Sequence, residues 1–163
     1  MDKIPANQLK VLHVLSGDLW AGKECQVVLQ LEALRKLGCD VSLLLFNPGE
    51  TAQRAAAAGI PVCLAQETDG FNKLIREAKI QGAAIQPNIV CAHGHKELIV
   101  AIVIARAVGG RVISSFHGAP ELHPGLAQLK VRLILGFRKL LSRLFASRLT
   151  AVSEALIREL NLP

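Results

Sequence analysis

Apolar runs and polar breakers alternate along the chain with two different periods. Short β-rich runs are each followed by a longer stretch with helical periodicity. The pattern predicts strands at 10–16, 40–46, 61–64, 88–92, 111–116 and 148–152, and helices at 22–37, 50–58, 71–83, 95–108, 125–145 and 153–161. Because alternating strands and helices build parallel sheets, we expect an α/β fold, a Rossmann-like three-layer sandwich with about six or seven parallel strands.

Strand composition and helix-end residues support this order. The strands VSLLLF and RVISSF lack a clean polar alternation, as expected when helices cover both faces of a parallel sheet. Gly38 and Gly59 follow the first two helical stretches, where a left-handed C-cap is favoured, and Ser153 precedes the last.

Length and composition indicate one folded domain. The 163 residues are 51% hydrophobic, so we expect a single Rossmann-like domain over 1–163, with 1–9 as a flexible lead-in. The apolar run 98–105 is too short to span a membrane, and the start lacks a signal-peptide core, which favours a cytoplasmic location. The four cysteines lack paired spacing, which disfavours a disulfide or zinc framework.

The net charge of +6 is concentrated in one segment. Residues 1–121 carry 12 Lys and Arg against 11 Asp and Glu, whereas residues 122–153 carry six basic residues and no acidic one. Basic residues interleaved with aromatics, typical of nucleic-acid binding, are absent. We therefore expect no nucleic-acid partner.

The basic segment predicts an amphipathic helix over 125–145. Its apolar residues recur every three or four positions, at Leu126, Leu129, Leu133, Phe137, Leu140 and Leu144. Four basic residues point away from that stripe: Arg132, Arg138, Lys139 and Arg143. Most such helices pack their stripe on the sheet, which favours an ordinary surface helix. The alternative is that the basic face or an apolar tip meets an anionic membrane surface.

Three polar tips, at 16–24, 93–97 and 117–121, each follow a predicted strand. Right-handed crossovers bring such loops to one edge of a parallel sheet, where open α/β folds bind their ligands. The tips therefore predict a ligand site at that edge.

The first tip resembles a phosphate-binding P-loop only in part. Gly17, Gly22 and Lys23 fit the G-x-x-x-x-G-K pattern, but Glu24 stands where a Ser or Thr must hold magnesium. The missing hydroxyl argues against an NTPase. The G-x-G-x-x-G fingerprint of a dinucleotide site is absent from this loop. Either the glycines and the helix start receive an anion or hydroxyl, or they form a plain tight turn.

Histidines dominate the other two tips. His13 lies within a strand and is expected to be a core residue, whereas four others lie in the tips: His93, His95, His117 and His123. With Cys91 or Glu121 they could hold a transition metal, but adjacent strand-end residues alternate direction and no Asp completes a hydrolytic centre, so we expect no metal.

His117, followed by Gly118, is the strongest catalytic candidate. At a strand end its ring or backbone can meet a polar substrate, with a pKa suited to acid or base work. The ordinary alternative is that each of these histidines is a solvated loop residue.

Taken in order, the motifs resemble the N-terminal domain of glycosyltransferase family 4, which has the GT-B fold. The motifs span residues 10–161: the strand VLHVL, the loop WAGKE, the helix VVLQLEALRKLG, then NIVCAHGHK, SFHG and VSE. Cys39 replaces a histidine that is frequent in the family after the glycine at 38.

The resemblance implies retaining, metal-independent transfer of a sugar from a nucleotide-sugar donor, without a cofactor. It places the acceptor, a glycan or lipid-linked molecule, in this domain. It puts His117 beside the reaction centre and Gly22 opposite the donor phosphates. The remaining substrate-binding candidates are Gly17, Lys23, Glu24, His93, His95, Lys96, Gly118 and Glu121.

Members of the family continue into a second domain, which holds the nucleotide and carries an E-x7-E motif. That donor-binding domain, supplied in cis or in trans, is absent from these 163 residues, so we expect no transfer by this chain alone. The chain would then be a truncated or separate acceptor-binding half. The alternative is a non-catalytic flavodoxin-like or Rossmann-like module that binds a small ligand or partner at the same edge.

Overall fold

The computed structural model describes residue 5 and residues 8–68, 70–118 and 126–162. The elements follow the order β1 (Lys10–Leu15), α1 (Gly22–Lys36), β2 (Asp40–Leu45), α2 (Glu50–Ala57), β3 (Val62–Leu64), α3 (Phe71–Ile85), β4 (Ile89–Ala92), α4 (His95–Val108), β5 (Arg111–Phe116), α5 (Leu126–Phe145), β6 (Ala146–Ala151) and α6 (Glu154–Leu160). The predicted order of strands and helices is confirmed, with boundaries that differ by at most two residues. The expected lead-in 1–9 lies mostly outside the described residues.

The sheet has six parallel strands in the order β3-β2-β1-β4-β5-β6. The chain moves outward from β1 to β3, returns through α3 to β4 beside β1, and then moves outward again. The direction therefore reverses between β1 and β4. In open α/β sheets such a reversal opens a crevice at the carboxyl ends of the strands.

Helices cover both faces of the sheet, which confirms the three-layer Rossmann-like expectation. Alternate strand residues point to opposite faces. One face packs with α1 and α2 in a core that includes Leu15, Val27 and Leu43. The other face packs with α3 and α4 and includes Leu12, Leu74 and Leu98. A smaller cluster joins Phe116 to α5, β6 and α6.

Helix α5 lies against the sheet by a face other than the predicted one. Its inward side chains include Leu135, Leu141 and Ser142, and Ser142 Oγ lies 3.0 Å from Ser114 Oγ. The predicted stripe instead faces solvent, since Leu129, Leu133, Phe137, Leu140 and Leu144 are each more than half exposed. The expectation that this stripe packs on the sheet is wrong. The helix carries apolar residues on two sides, and their spacing alone does not identify the buried side.

No helix in the described part of the chain is both long enough and apolar enough to cross a membrane.

Candidate functional site

The carboxyl ends of β1, β4 and β5 lie side by side and carry the three polar tips. The tip after β1 leads into α1 on one face of the sheet, whereas the tip after β4 leads into α4 on the other. Residues from both tips therefore line the crevice where the topology reverses, as predicted from the strand ends.

Three histidines form a continuous hydrogen-bonded line across these three strands. His13 Nδ1 lies 2.9 Å from His93 Nε2, and His93 Nδ1 lies 2.7 Å from His117 Nε2. His117 Nδ1 then lies 3.1 Å from Gln26 Oε1 on α1. The line runs from the buried middle of the sheet to its carboxyl edge. We call these three residues the histidine line.

Two protonation patterns satisfy every contact of the histidine line with neutral rings. If Nδ1 of His117 donates to Gln26, its Nε2 accepts from Nδ1 of His93, whose Nε2 accepts from Nδ1 of His13. Turning the Gln26 amide reverses every donor and acceptor and again leaves the rings neutral. The geometry therefore suits three uncharged imidazoles.

Burial keeps these rings uncharged near neutral pH. Burial, reinforced by the charge of His117, lowers the pKa of His13 to about 4. Burial and the positive charges of Lys23 and Arg138 lower the pKa of His117 to about 4, although Glu24 opposes the shift. The pKa of His93 is lowered well below its usual value, chiefly by burial and then by its histidine neighbours. His117 is thus a neutral group near pH 7 that can donate or accept a hydrogen bond.

A buried glutamate joins the tips after β1 and β4. Glu97, in the first turn of α4, accepts a hydrogen bond at Oε1 from the Ser16 backbone N–H at 3.2 Å. Gly94 makes room for this carboxylate, because a Cβ there would overlap Glu97 Oε2. A side chain at position 94 would therefore displace the Glu97 carboxylate, whose contact with Ser16 links the two sides of the crevice.

The start of α1 is open toward the crevice. Gly22 is its first residue, and a Cβ built there would have no neighbour within 4 Å among the described residues. Lys23 forms an ion pair with the buried Glu24, with Nζ and Oε1 3.3 Å apart. Gly17 differs, since its φ of +77° favours glycine and a Cβ there would press against the Asn47 carbonyl oxygen and the Leu45 side chain, which gives it a turn-forming role.

The other predicted site residues are arranged less tightly. His95, at the first position of α4, is exposed, and partial burial lowers the pKa of its ring. Lys96 pairs with Glu67, whose hydrogen bond raises the pKa of the amine. Gly118 is exposed beside His117. Glu121 and His123 lie outside the described residues.

Arg138 belongs to this edge and not to the outer surface of α5. Its guanidinium lies 3.9 Å over the Phe116 ring and donates to the Ser115 carbonyl oxygen at 2.5 Å. Burial lowers its pKa to about 10, against the effect of Glu97. The prediction that Arg138 faces a membrane is therefore wrong, whereas Arg132 and Arg143 are exposed and Lys139 is partly exposed.

A groove of about 380 Å³ lies between α1 and the sheet at the inner end of the histidine line. Its lining is largely apolar and includes Leu34, Leu37 and Ile113, together with His13 and His93. The groove lies over the middle of the strands and does not include His117. The carboxyl edge, where His117 and Gly118 are accessible, is therefore the better candidate for chemistry.

No group of three or more His, Cys, Asp or Glu side chains within the described ranges has the arrangement of a metal site. The histidine nitrogens of the line contact one another directly at hydrogen-bond distance. The four cysteines are free thiols.

Several residues of the site were not predicted. His13 is buried, as expected of a core residue, but it also forms the inner end of the line. Gln26 lies one turn after Gly22, and Glu97 is the last residue of the tip at 93–97, so position in or near a tip was the available signal. No sequence signal identified Arg138 as a residue of this edge, because its contacts depend on how α5 packs.

Comparison with known proteins supports the family assignment. The model of glycosyltransferase family 4 matches residues 22–162. A search of the curated proteins finds no match.

The solved structures that share the fold include the following three. HepE from Anabaena, in complex with UDP and glucose, has a TM-score of 0.73 and 18% identity over 94% of this chain and 40% of its own. A glycosyltransferase from Rickettsia africae has a TM-score of 0.68 and 13% identity over 95% of this chain and 40% of its own. MurG from Acinetobacter baumannii has a TM-score of 0.63 and 14% identity over 91% of this chain and 42% of its own.

The chain spans about two fifths of the length of each of these structures, as an N-terminal domain would. At these identities the structural likeness shows the fold, and the family model shows the family. Since that model covers most of the chain, the chain belongs to glycosyltransferase family 4.

Proposed function

We propose that this domain is the acceptor-binding half of a glycosyltransferase that transfers a hexose from a nucleotide-sugar donor to a glycan or glycolipid. The transfer retains the anomeric configuration and uses neither a metal ion nor a cofactor. Family membership supports the reaction class. The observation that carries the assignment of the site is the position of His117, at the carboxyl edge and at the accessible end of the histidine line.

His117 acts in this proposal by hydrogen bonding to the acceptor. Its Nδ1 contacts the Gln26 side chain, which is only partly buried, so an acceptor hydroxyl can replace that amide. Its Nε2 stays bonded to His93, which fixes the plane of the ring. A neutral, oriented imidazole can hold a hydroxyl for attack and share its proton, a contribution from positioning.

The start of α1 faces the donor phosphates in the proposed enzyme. The open space at Gly22 allows close approach to the backbone, and the first N–H groups of a long helix favour an anion. Lys23 adds positive charge beside His117. HepE was solved with UDP and glucose, which agrees with a nucleotide-sugar donor for this fold.

The donor itself is bound by a C-terminal domain, in cis or in trans, that these 163 residues do not include. The whole enzyme is cytoplasmic in this proposal, where nucleotide sugars meet it and free thiols persist. The chain alone then binds acceptor sugars without turnover.

Acceptor binding is tested by ¹H–¹⁵N shift perturbation of the 163-residue chain with octyl glucoside, octyl galactoside and octyl mannoside as probes. Perturbed amides should cluster at residues 16–26, 93–97 and 117–118. His117→Gln should weaken binding at least about tenfold, because a lost hydrogen bond to a polar ligand costs on that order. Lys79→Gln, on the exposed side of α3, is the control and should bind normally.

Perturbation confined to other surfaces, or equal binding by the His117 variant, would contradict the acceptor site. A saturable ligand at the edge that is not a sugar would instead favour the non-catalytic module. Transfer from UDP-glucose or GDP-mannose by the purified chain alone would contradict the proposal that the donor site lies in another domain.

Once the donor-binding domain is present, proton NMR of the product gives the anomeric configuration. Activity in EDTA tests metal independence. An inverted product would refute retention, and loss of activity in EDTA would refute a metal-independent reaction.

A further inference from the structure

The outer face of α5 presents a continuous row of large apolar side chains to solvent. Leu129, Leu133, Phe137, Leu140 and Leu144 are each more than half exposed. At about 100° per residue these five positions fall within about 80° of arc and extend over four turns. We call these five residues the α5 stripe. Single exposed apolar residues are ordinary, whereas a contiguous row marks an interaction surface.

Cations border the stripe on both sides. Arg132, Lys139 and Arg143 fall together next to one edge, and Lys130 falls next to the other. Arg132, Arg143 and Lys130 are exposed, and Lys139 is partly exposed. The sequence from 122 to 153 contains no Asp or Glu. The surface is therefore apolar at its centre and uniformly positive at its margins.

The helix is held so that this face stays outward. Arg138 is anchored to the Ser115 carbonyl and the Phe116 ring, and Ser142 bonds to Ser114. Leu135 and Leu141 pack into the cores beneath. Because these contacts occupy the opposite side of α5, the helix cannot roll to bury the stripe without breaking them.

We propose that the α5 stripe and its bordering cations dock the domain on an anionic lipid bilayer. The apolar side chains enter the boundary between headgroups and acyl chains, and the longer cationic side chains reach the phosphates. This inference deepens the proposed function, since a lipid-linked acceptor is presented at such a surface. Lipid docking is nevertheless measured without sugar transfer, so the two proposals can fail separately.

The charges disfavour a second copy of this chain as the occupant. Apolar stripes of paired helices are usually flanked by opposite charges on the two partners. In a pair of α5 helices, the cations that border one stripe would instead face the cations that border the other. Their repulsion weakens association. An anionic bilayer supplies the complementary charge along the whole helix.

The test is co-sedimentation of the 163-residue chain with vesicles. One set contains phosphatidylcholine alone, and the other contains phosphatidylcholine with phosphatidylglycerol. Wild type should bind the anionic vesicles preferentially, and rising salt should weaken the binding by screening the charges. The triple variant Arg132→Gln, Lys139→Gln, Arg143→Gln should lose about a hundredfold in affinity for anionic vesicles.

A matched control separates this surface from net charge. The triple variant Lys36→Gln, Arg76→Gln, Lys79→Gln removes the same charge from exposed positions on α1 and α3 and should bind like wild type. An equal loss of vesicle affinity in both variants would mean that net charge alone drives the binding, and it would overturn the proposal.

The apolar half has its own pair of variants. Leu133→Ser, Phe137→Ser, Leu140→Ser should weaken vesicle binding at least about tenfold. The control is a triple variant at three other exposed apolar residues, and it should bind vesicles like wild type: Leu29→Ser, Leu37→Ser, Ile80→Ser. Circular dichroism checks that each variant is folded.

Absence of binding to either vesicle by wild type overturns the proposal, as does undiminished binding by both stripe and cation variants. Sedimentation velocity examines self-association. A wild-type dimer that the stripe variant converts to monomers, without vesicle binding, would assign the stripe to a second copy instead.

Discussion

The carboxyl edge of the sheet and the outer face of α5 depart from ordinary burial in opposite directions. The edge buries His13, His93, Glu24 and Glu97, residue types that are usually at least partly exposed. The α5 stripe exposes five large apolar side chains, which are usually buried. Both regions adjoin β5, so the two exceptions lie close together in the fold.

The difference shows how each region is stabilised. Several buried polar groups of the edge bond to one another, as in the histidine line and the Glu97–Ser16 contact, although the buried Nε of Arg138 has no hydrogen-bond partner among the described residues. The α5 stripe has no packing of this kind and rests on a helix held from its other side. Such local departures are expected where a surface serves a function as well as folding. Substitutions should therefore cost stability at the edge and leave it unchanged at the stripe.

The largest effect is expected at the centre of the histidine line. His93→Ala should lower the free energy of unfolding by about 3 to 4 kcal/mol, because it leaves a cavity and two imidazoles without their partner. His95→Ala, two positions away and exposed, should cost less than about 1 kcal/mol. Urea denaturation measures both, and equal costs would show that the line does not stabilise the edge.

Acid should destabilise the same region. The pKa of His13 is lowered to about 4, below its unfolded value of roughly 6.5, so the unfolded chain binds more protons in this window. Stability should thus be highest above about pH 6.5 and fall as the pH falls toward 4, by about 3 kcal/mol for His13 alone. His117 adds less because it is partly exposed.

Urea midpoints between pH 7 and pH 4.5 measure this slope, and His13→Gln should flatten it. Leu133→Ser on the α5 stripe removes no titratable group, so it should leave the slope intact. An unchanged slope in the His13 variant would assign the acid sensitivity to other groups.

A smaller effect is expected where the backbone approaches the buried carboxylate. Gly94→Ala places a methyl group against Glu97 and should cost about 2 kcal/mol, because the carboxylate must leave its contact with Ser16. Gly22→Ala meets open space and should change stability by less than about 0.5 kcal/mol. Thermal unfolding compares the two, and a tolerated alanine at 94 would mean that Glu97 can move freely.

The smallest effect is expected on the α5 stripe. Phe137→Ser should change the free energy of unfolding by less than about 0.5 kcal/mol, since the ring is already more than half exposed. Leu98→Ala, in the buried core of α4, should cost about 2 to 5 kcal/mol. A large loss at 137 would mean that the stripe is packed in solution, and the contrast between the regions would disappear.

The order of elements was predictable because periodicity and terminal glycines are local signals. The three tips and the candidate residues His93 and His117 followed from strand ends in the same way. The histidine line was not predictable, because it depends on β1, β4 and β5 being neighbours in a sheet whose strand order is set by tertiary packing. The orientation of α5 was also missed, since Leu135 and Leu141 offered a second apolar face and Arg138 could stack on Phe116.

The anchor of Arg138 on Ser115 and Phe116 also acts as a spacer. It keeps α5 at a constant separation from the end of β5, where His117 begins the tip. A helix with its side chains is about 10 Å across, so the plane of a membrane surface in contact with the outer face of α5 lies at least that far from β5. The thickness of one helix would thus set how far a sugar must project from that plane to reach the imidazole.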